Sequence, residues 1–374
     1  MRDEAQATEV QARLAAVRAA FVRSARTYGD LGSPLYAALF AASAGDDDVV
    51  ALAIDAQPGA NPAIHLLVCV HYLLLRNPGD PLARYYATLV DEPDDPAGAY
   101  PHFARFCRDH RDEILQLLAT RTVQSTYVER CGILLPLLSS VAQAAGEPLH
   151  LVEIGCAAAV LLTTDRYAYR LPDGSLIGSP DAPLTVECPV SGGPRPTVPA
   201  IASRIGIDLN PIDPHSPDER LWLIAGSMPE LRRQREDLLS ALDVVAASDI
   251  RLLQGDARDL VPGILAASAD PICIFHSACL SYWPQAARDQ LDAGIAEASR
   301  GRTIYRVGIE ASEEFYAWHQ GQGRQAGGKA GEGSVPSTSE LIAARYRDGE
   351  METAVLGAGP IFGPFAWTGS PPWD

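Results

Sequence analysis

Residues 149–159 read LHLVEIGCAAA, and this short stretch decides the fold class. Apolar residues run from Leu149 to Ile154 and are followed by one glycine and three alanines, a pattern typical of a buried strand that leads into a helix. Glycine and small residues at such a strand end let a nucleoside ligand approach the backbone. The stretch therefore predicts the first strand of a Rossmann-like sheet. The alternative is a buried strand followed by an ordinary alanine-rich helix.

Strand and helix patterns alternate through the rest of this half of the chain. Such alternation predicts a mostly parallel α/β sheet with helices on both faces. Residues 343–356 contain an Asp348-Gly349 turn between two short apolar runs, which predicts a hairpin and hence an antiparallel C-terminal edge. The other predicted strands are 204–209, 250–253, 272–275 and 303–309, and the predicted helices between them include 229–246 and 284–298.

The first 145 residues contain helical patterns and no good strand candidate. An alanine-rich stretch covers residues 6–28, and Asn61-Pro62 precedes an apolar run, as at a capped helix start. We therefore predict an all-helical N-terminal domain over residues 1–145, resting as a lid over the carboxyl edge of a sheet domain over residues 146–374. Proline-rich residues 170–203 and glycine-rich residues 320–337 are predicted insertions in that second domain.

Composition excludes several classes of function. The chain has 374 residues with 47 acidic and 30 basic side chains, and a net charge of -17 argues against binding to nucleic acid. Lys329 is the only lysine and lacks the context of a P-loop or of a Schiff-base site. Residues 63–75 form the longest apolar run, which is too short to span a membrane. The seven cysteines show no paired spacing, so we expect reduced thiols in a cytoplasmic protein.

Polar or small residues follow four of the predicted strands. Because the carboxyl ends of parallel strands meet at one edge, these residues predict a nucleoside-binding crevice, with Asp208 where such folds place an acid on the ribose hydroxyls. Each motif alone is also compatible with a turn, and for Asp256 a helix cap has about equal weight. The predicted ligand-binding residues are Glu153, Gly155, Cys156, Ala157, Asp208, Leu209, Asn210, Gly255, Asp256, Ala257, His276 and Ser277.

These motifs resemble a bacterial family, the domain of unknown function numbered twenty-three thirty-two, which is similar to class I methyltransferases. The resemblance implies S-adenosylmethionine as the ligand, with Asp256 at the adenine amino group and Glu153 near the methionine amine. Ala159 and Ala157 stand where the family has glycine and serine. We expect a β-carbon at residue 159 to crowd the methionine moiety or to forbid a positive φ. The resemblance rests on 130–138, 153–159, 165–167, 206–213, 255–257 and 275–282, of which 206–213 is the most specific.

The leading prediction is an S-adenosylmethionine-dependent methyltransferase-like enzyme that acts on a small molecule. We expect His276 or Tyr282 to deprotonate or position the acceptor. One alternative is an enzyme that uses S-adenosylmethionine itself as substrate, by cyclisation or elimination, and another is a catalytically inactive binding or regulatory protein. A homodimer is left open. The predicted substrate contacts are Gln124, Tyr127, Arg130 and Tyr167.

Other chemistries have weaker sequence support. Ser277 lacks the Gly-x-Ser-x-Gly context of a hydrolase nucleophile. His65 and His71 are six residues apart and do not share a helix face, and no Cys/His spacing fits zinc, so no dedicated metal site is expected. Cys156 lies at a strand-to-helix junction, where a helix N-terminus lowers a thiol pKa, although a small buried cysteine is the commoner case.

Overall fold

The computed structural model describes residues 2–57, 60–312, 338–360 and 363–373. The chain divides into two compact units: residues 1–125 with 216–236 form unit 1, and residues 126–215 with 237–374 form unit 2. This division differs from the expected boundary at residue 145, because a helix over 130–145 belongs to unit 2. The predicted insertion at 320–337 lies outside the described residues.

Helices and strands are numbered in chain order. The helices are α1 (Arg2–Asp30), α2 (Pro34–Ser43), α3 (Asp47–Ala53), α4 (Pro62–Arg76), α5 (Tyr100–Asp109), α6 (Arg111–Thr120), α7 (Arg130–Ala145), α8 (Pro217–Ala225), α9 (Arg232–Ala246), α10 (Ala257–Ala267) and α11 (Gln285–Ala298). The strands are β1 (Leu149–Ile154), β2 (Ala168–Arg170), β3 (Leu176–Ile177), β4 (Thr185–Glu187), β5 (Val190–Ser191), β6 (Ile201–Asp208), β7 (Arg251–Gln254), β8 (Ile272–Ser277), β9 (Thr303–Ala311), β10 (Thr338–Arg347), β11 (Glu350–Pro360) and β12 (Phe365–Trp367).

The described part of unit 1 is built from helices around one apolar core. The Asn61 side chain accepts hydrogen bonds from the backbone N–H groups of Ala63 and Ile64, so it caps α4 as the sequence predicts. Trp222 of α8 is buried in the same core as the side chains of the first six helices. Its indole N–H donates to the carbonyl oxygen of Thr122 at 2.9 Å. The buried indole explains why residues 216–236, which lie between two strands of unit 2, belong to unit 1.

Unit 2 contains a nine-stranded sheet in the order β5-β12-β11-β10-β9-β8-β1-β6-β7. The five strands from β9 to β7 in that order run parallel to one another. β10 pairs antiparallel with β9, and β11 pairs antiparallel with β10. The prediction of a mostly parallel α/β sheet with an antiparallel C-terminal edge is therefore confirmed.

Most predicted element bounds agree with the structure within a few residues. β1 has the predicted bounds, and the other four predicted strands lie within or overlap β6 to β9. Residues 170–203 contain β3, β4 and β5, and β3-β2-β4 form a separate three-stranded sheet. No helix of the described residues is long and apolar enough to cross a membrane.

Candidate functional site

The strand order of unit 2 reverses direction at β1. From β1 the chain continues to β6 and β7 on one side and to β8 and β9 on the other. At such a switch point the loops that follow the central strands diverge and leave a crevice at the carboxyl edge of the sheet. The loops after β1, β6, β7 and β8 carry the residues that the sequence singled out, and all of them belong to unit 2.

The loop after β1 begins at a position that requires glycine. Gly155 has φ +74°, and a β-carbon there would lie 2.4 Å from the Cys279 sulfur. The backbone N–H groups of Gly155 and Cys156 donate to the carbonyl oxygen of Ile207 at 2.8 and 3.1 Å, which ties this loop to β6. Cys156 is buried, and burial raises the pKa of its thiol well above the ordinary value. It is therefore a packing residue, and the reactive-thiol alternative is wrong.

Two alanines in the same loop adopt left-handed backbone conformations. Ala157 has φ +47°, and Ala159 has φ +59° and ψ +22°. The β-carbon at residue 159 thus does not prevent a positive φ, although this conformation is unfavourable for alanine. Ala159 has no exposed surface, so its methyl group points into the protein interior and does not face a ligand. The buried methyl group does not support the predicted steric conflict with the methionine moiety. The consequence of alanine at residue 159 is instead backbone strain.

Asp208, at the end of β6, holds two loops together. One carboxylate oxygen accepts the backbone N–H of Ala157 at 2.8 Å, and the other accepts that of Asn210 at 2.9 Å. Leu209, the next residue, is 64% exposed, and Asn210 is exposed too. Asp208 remains the predicted ribose-binding acid, with an apolar surface beside it.

Glu153 is a buried acid at the same edge. Only 2% of its surface is exposed, and one of its carboxyl oxygens has no hydrogen-bond partner within the described part of the chain. Burial raises the pKa of this carboxyl well above its ordinary value, and the negative charge of Asp208 adds to the effect, while the Arg130 guanidinium opposes it. A buried acid with an unused oxygen is costly to the fold, and a positively charged or hydrogen-bonding ligand group would satisfy it.

Arg130 and two tyrosines are further residues of this unit. Arg130, the first residue of α7, is half-buried, and its guanidinium lies over the Tyr127 ring at 5.3 Å from the centroid. Tyr282, after β8, is 68% exposed. Desolvation raises the pKa of Tyr282 and that of Glu153, and the charge of Arg130 opposes both shifts. Glu153, Arg130 and Tyr282 are therefore near one another.

Gln124, another predicted substrate contact, belongs to unit 1, where its backbone carbonyl lies beside Gly226.

The structure excludes Tyr167 as a substrate contact. Its side chain has no exposed surface, and its hydroxyl bonds to the Thr163 hydroxyl at 2.6 Å and to the carbonyl oxygen of Val160 at 3.2 Å. Tyr167 was selected because residues 165–167 match the family motif, and a motif match does not show whether a side chain is exposed. Here it is a core residue with a satisfied hydroxyl.

Asp256 acts as the cap of α10. Its carboxylate accepts the backbone N–H of Arg258 at 2.9 Å and also pairs with the Arg258 guanidinium at 2.5 to 3.1 Å. Hydrogen bonds from the Arg258 side chain lower the pKa of this acid. Gly255 donates its N–H to the Asp208 carbonyl oxygen, and Ala257 is the buried first residue of the helix. The capping alternative is thus correct, and contact with adenine stays a prediction.

Glu310 is a buried acid that the sequence analysis missed. It lies on β9, and its carboxylate accepts the backbone N–H groups of three consecutive residues at 2.9 to 3.1 Å. It also accepts the Ser281 hydroxyl at 2.6 Å and a His276 ring nitrogen at 2.7 Å. Burial favours the neutral acid, but the hydrogen bonds outweigh it and lower the pKa of Glu310 to about 2. Glu310 thus fixes the loop after β8. The three N–H donors belong to Cys279, Leu280 and Ser281.

His276 is part of this internal network. It has no exposed surface, and its second ring nitrogen lies 3.2 Å from the Arg306 guanidinium. Burial lowers its pKa, with Glu310 opposing the shift. The neutral ring then donates from Nδ1 to Glu310 and accepts at Nε2 from Arg306. Because both nitrogens are used and covered, the prediction of His276 as an acceptor base is wrong. Tyr282 is the candidate of the two that remains accessible.

The end of β8 carries one more polar group. Ser277 is buried, and its hydroxyl oxygen has no hydrogen-bond partner among the residues that the structure describes. The residues of the four described ranges contain no cluster of three or more His, Cys, Asp or Glu side chains placed to bind a metal. The polar character of this edge therefore comes from carboxyl, hydroxyl, guanidinium and backbone groups.

A model of the bacterial protein family described as "Uncharacterized protein conserved in bacteria (DUF2332)" matches residues 18–367. The chain belongs to this family. No curated protein matches the chain. In this DUF2332 member the matched segment includes both α7 and the complete series of strand ends from β1 to β9.

The site of this DUF2332 member combines a buried acid, a cation and exposed apolar surface. Glu153 offers an unused carboxyl oxygen, Arg130 offers a cation, and Leu209 and Tyr282 offer exposed apolar surface. Such a set is suited to a small molecule with both polar and flat apolar parts.

Proposed function

We propose that this DUF2332 member is an S-adenosylmethionine-dependent methyltransferase that acts on a small molecule. The observation that carries the proposal is the Glu153-Ile154-Gly155 loop at the switch point of the sheet, tied by backbone bonds to the strand that ends in Asp208. The strand order β7-β6-β1-β8-β9 is also the order of Rossmann-like nucleotide-binding sheets. Both features support a Rossmann-like methyltransferase fold.

The residues at this edge fit the parts of S-adenosylmethionine. The unpartnered Glu153 oxygen suits the methionine ammonium, and Asp208, at the end of β6, is the acid that we propose for the ribose hydroxyls. Exposed Leu209 suits one face of the adenine, with Asp256 at the adenine amino group. When bound, the ligand supplies an electrophilic methyl group.

Methyl transfer depends mainly on alignment of nucleophile, methyl group and sulfur. The chain's contribution is therefore to bind and orient the acceptor and to exclude water. Tyr282 is the residue that we propose to contact the acceptor, because it is exposed and follows β8. Glu310 acts through this loop as a positioning residue, since its carboxylate holds the three backbone N–H groups that precede Tyr282.

Titration calorimetry with S-adenosylmethionine and S-adenosylhomocysteine tests the proposal. We expect binding, and because burial raises the pKa of the free Glu153 carboxyl while a ligand ammonium would lower it, we expect protons to be released on binding. The measured heat should therefore depend on the ionisation enthalpy of the buffer, and Glu153→Gln should remove that dependence. Absence of binding at millimolar concentrations of either ligand would refute the proposal.

A second candidate is a binding protein without turnover. It is favoured by the burial of His276, which removes a residue expected to act on the acceptor. The two candidates differ in one measurement, the consumption of S-adenosylmethionine with a panel of small acceptors. Binding without formation of S-adenosylhomocysteine would favour the second.

A further inference from the structure

Arg130 is a half-buried arginine of unit 2 that forms no ion pair with a carboxylate in the described part of the chain. Buried Arg204 pairs with Asp165 at 2.6 Å, and buried Arg306 pairs with Asp292 at 3.0 Å. The Arg130 guanidinium makes no ion pair and no hydrogen bond with any residue in the described ranges. A partly desolvated cation without a partner is unfavourable, and in a chain with a net charge of -17 acidic partners are abundant.

The surroundings of Arg130 orient it toward a ligand. The Arg130 guanidinium carbon lies 5.3 Å from the centroid of the Tyr127 ring, a cation–π contact that limits its movement and uses none of its N–H groups as hydrogen-bond donors. Nearby Glu153 is only 2% exposed, and one of its carboxyl oxygens has no hydrogen-bond partner within the described residues. The Arg130 guanidinium and this Glu153 oxygen are thus two independent groups that lack partners. One is a cation and the other is an acid. Together they match a ligand that carries an ammonium group and an anionic group, or two ligands bound side by side.

We infer that Arg130 binds a carboxylate of the small molecule held beside Glu153. A planar guanidinium with a restricted orientation donates two parallel N–H bonds to a carboxylate, which a lysine ammonium does not reproduce. The carboxylate has two sources, the methionine end of S-adenosylmethionine and an acidic acceptor. The first source rests on the proposed function, and the second does not.

The test compares wild-type protein with Arg130→Gln, using probes that differ in the carboxylate. S-Adenosylhomocysteine is paired with methylthioadenosine, which lacks the amino-acid end, and benzoate is paired with benzamide. Charge-assisted hydrogen bonds of this kind change affinity by about ten- to hundredfold. We expect Arg130→Gln to weaken binding of at least one carboxylate probe by that factor and to leave its carboxylate-free partner unchanged. Arg130→Lys should restore only part of the affinity.

The matched control is Arg300→Gln, which removes the same charge from a pair with Glu297 on the exposed surface of unit 2. It should leave all four affinities unchanged. A loss confined to S-adenosylhomocysteine assigns the carboxylate to the cofactor, and a loss confined to benzoate assigns it to the acceptor. The inference is overturned if neither carboxylate probe binds the wild type or if Arg130→Gln affects both members of each pair equally. The proposed function fails separately, if neither adenosine probe binds.

Discussion

Replacing Ala159 by glycine tests how much strain the loop after β1 stores. Ala159 is left-handed, with φ +59°, whereas neighbouring Ala158 is absent from the positive-φ residues of the described chain. Both side chains have no exposed surface. Ala158→Gly is therefore a matched control that removes an equally buried methyl group without relieving a left-handed residue.

The expected sizes of the effects follow from this geometry. Each substitution loses a buried methyl group, worth about 0.8 kcal/mol, and adds unfolded-state entropy worth about 0.4–1 kcal/mol. Ala158→Gly should therefore destabilise the protein by roughly 1–2 kcal/mol. At residue 159 the same losses are offset by relief of a left-handed conformation that costs alanine about 1–2 kcal/mol. Ala159→Gly should thus change the free energy of unfolding little.

Urea unfolding followed by circular dichroism measures both variants, provided that the dependence of the unfolding free energy on urea is the same as in wild type. The quantity of interest is the difference between the two variants, about 1–2 kcal/mol in favour of Ala159→Gly. Equal destabilisation by both substitutions would show that residue 159 stores no strain. Because the Ala159 methyl group is buried, we also expect unchanged affinity for S-adenosylhomocysteine.

Three further predictions use other buried or bridging groups. Asp208→Ala should weaken S-adenosylhomocysteine binding by about ten- to hundredfold in a folded protein, and unchanged affinity in calorimetry would contradict the assignment. Glu310 has a pKa of about 2, so it stabilises the fold above pH 4.5 and this contribution, about 3 kcal/mol, is lost as the pH falls toward 2. The difference in unfolding free energy between wild type and Glu310→Gln should therefore shrink as the pH falls toward 2. A difference that does not change with pH would refute this role of Glu310. Burial lowers the pKa of His65 to about 4, so the unfolded chain takes up this proton at a higher pH than the folded chain does. The free energy of unfolding should therefore fall as the pH decreases from 6.5 to 4. His65→Leu should flatten this slope in urea unfolding, by about 3 kcal/mol over the range, and an unaltered slope would exclude His65 as its source.

Local patterns predicted the sheet of unit 2 well because its central strands are buried on both faces. β1 and β8 are mostly apolar segments followed by polar or small residues, and such segments are visible without any tertiary information. The hairpin of β10 and β11 was equally visible, since Asp348-Gly349 provides a turn with positive φ at both residues.

The division into units was not visible in the same way. α7 reads as one more apolar helix of the N-terminal part, yet its buried face packs in unit 2. α8 lies between β6 and β7 in sequence, and only the burial of Trp222 in the helical core shows where it belongs. Helical periodicity identifies a buried face but not the element that covers it.

Site chemistry shows the same limit. Sequence position alone made His276 and Tyr167 equivalent to Tyr282 as candidates, but the first two are covered and hydrogen-bonded internally. Glu310 received no attention, although it organises the loop that carries Tyr282. Accessibility and hydrogen-bond partners are properties of the packed structure, so residue type and spacing do not reveal them.

The sequence by itself determined the α/β class, the order of helices and strands along the chain and the acids that lie near strand ends. These features depend on local apolar patterns and turn residues. Tertiary structure decided which of those acids is a helix cap, which one anchors a loop and which one keeps an unused oxygen. Asp256, Glu310 and Glu153 are all acids near strand ends, and they differ only in the donors that folding brings to them. The donors to Glu310 lie about thirty residues away along the chain. Glu153 lies near Asp208 because β1 pairs with β6, the strand that ends in Asp208.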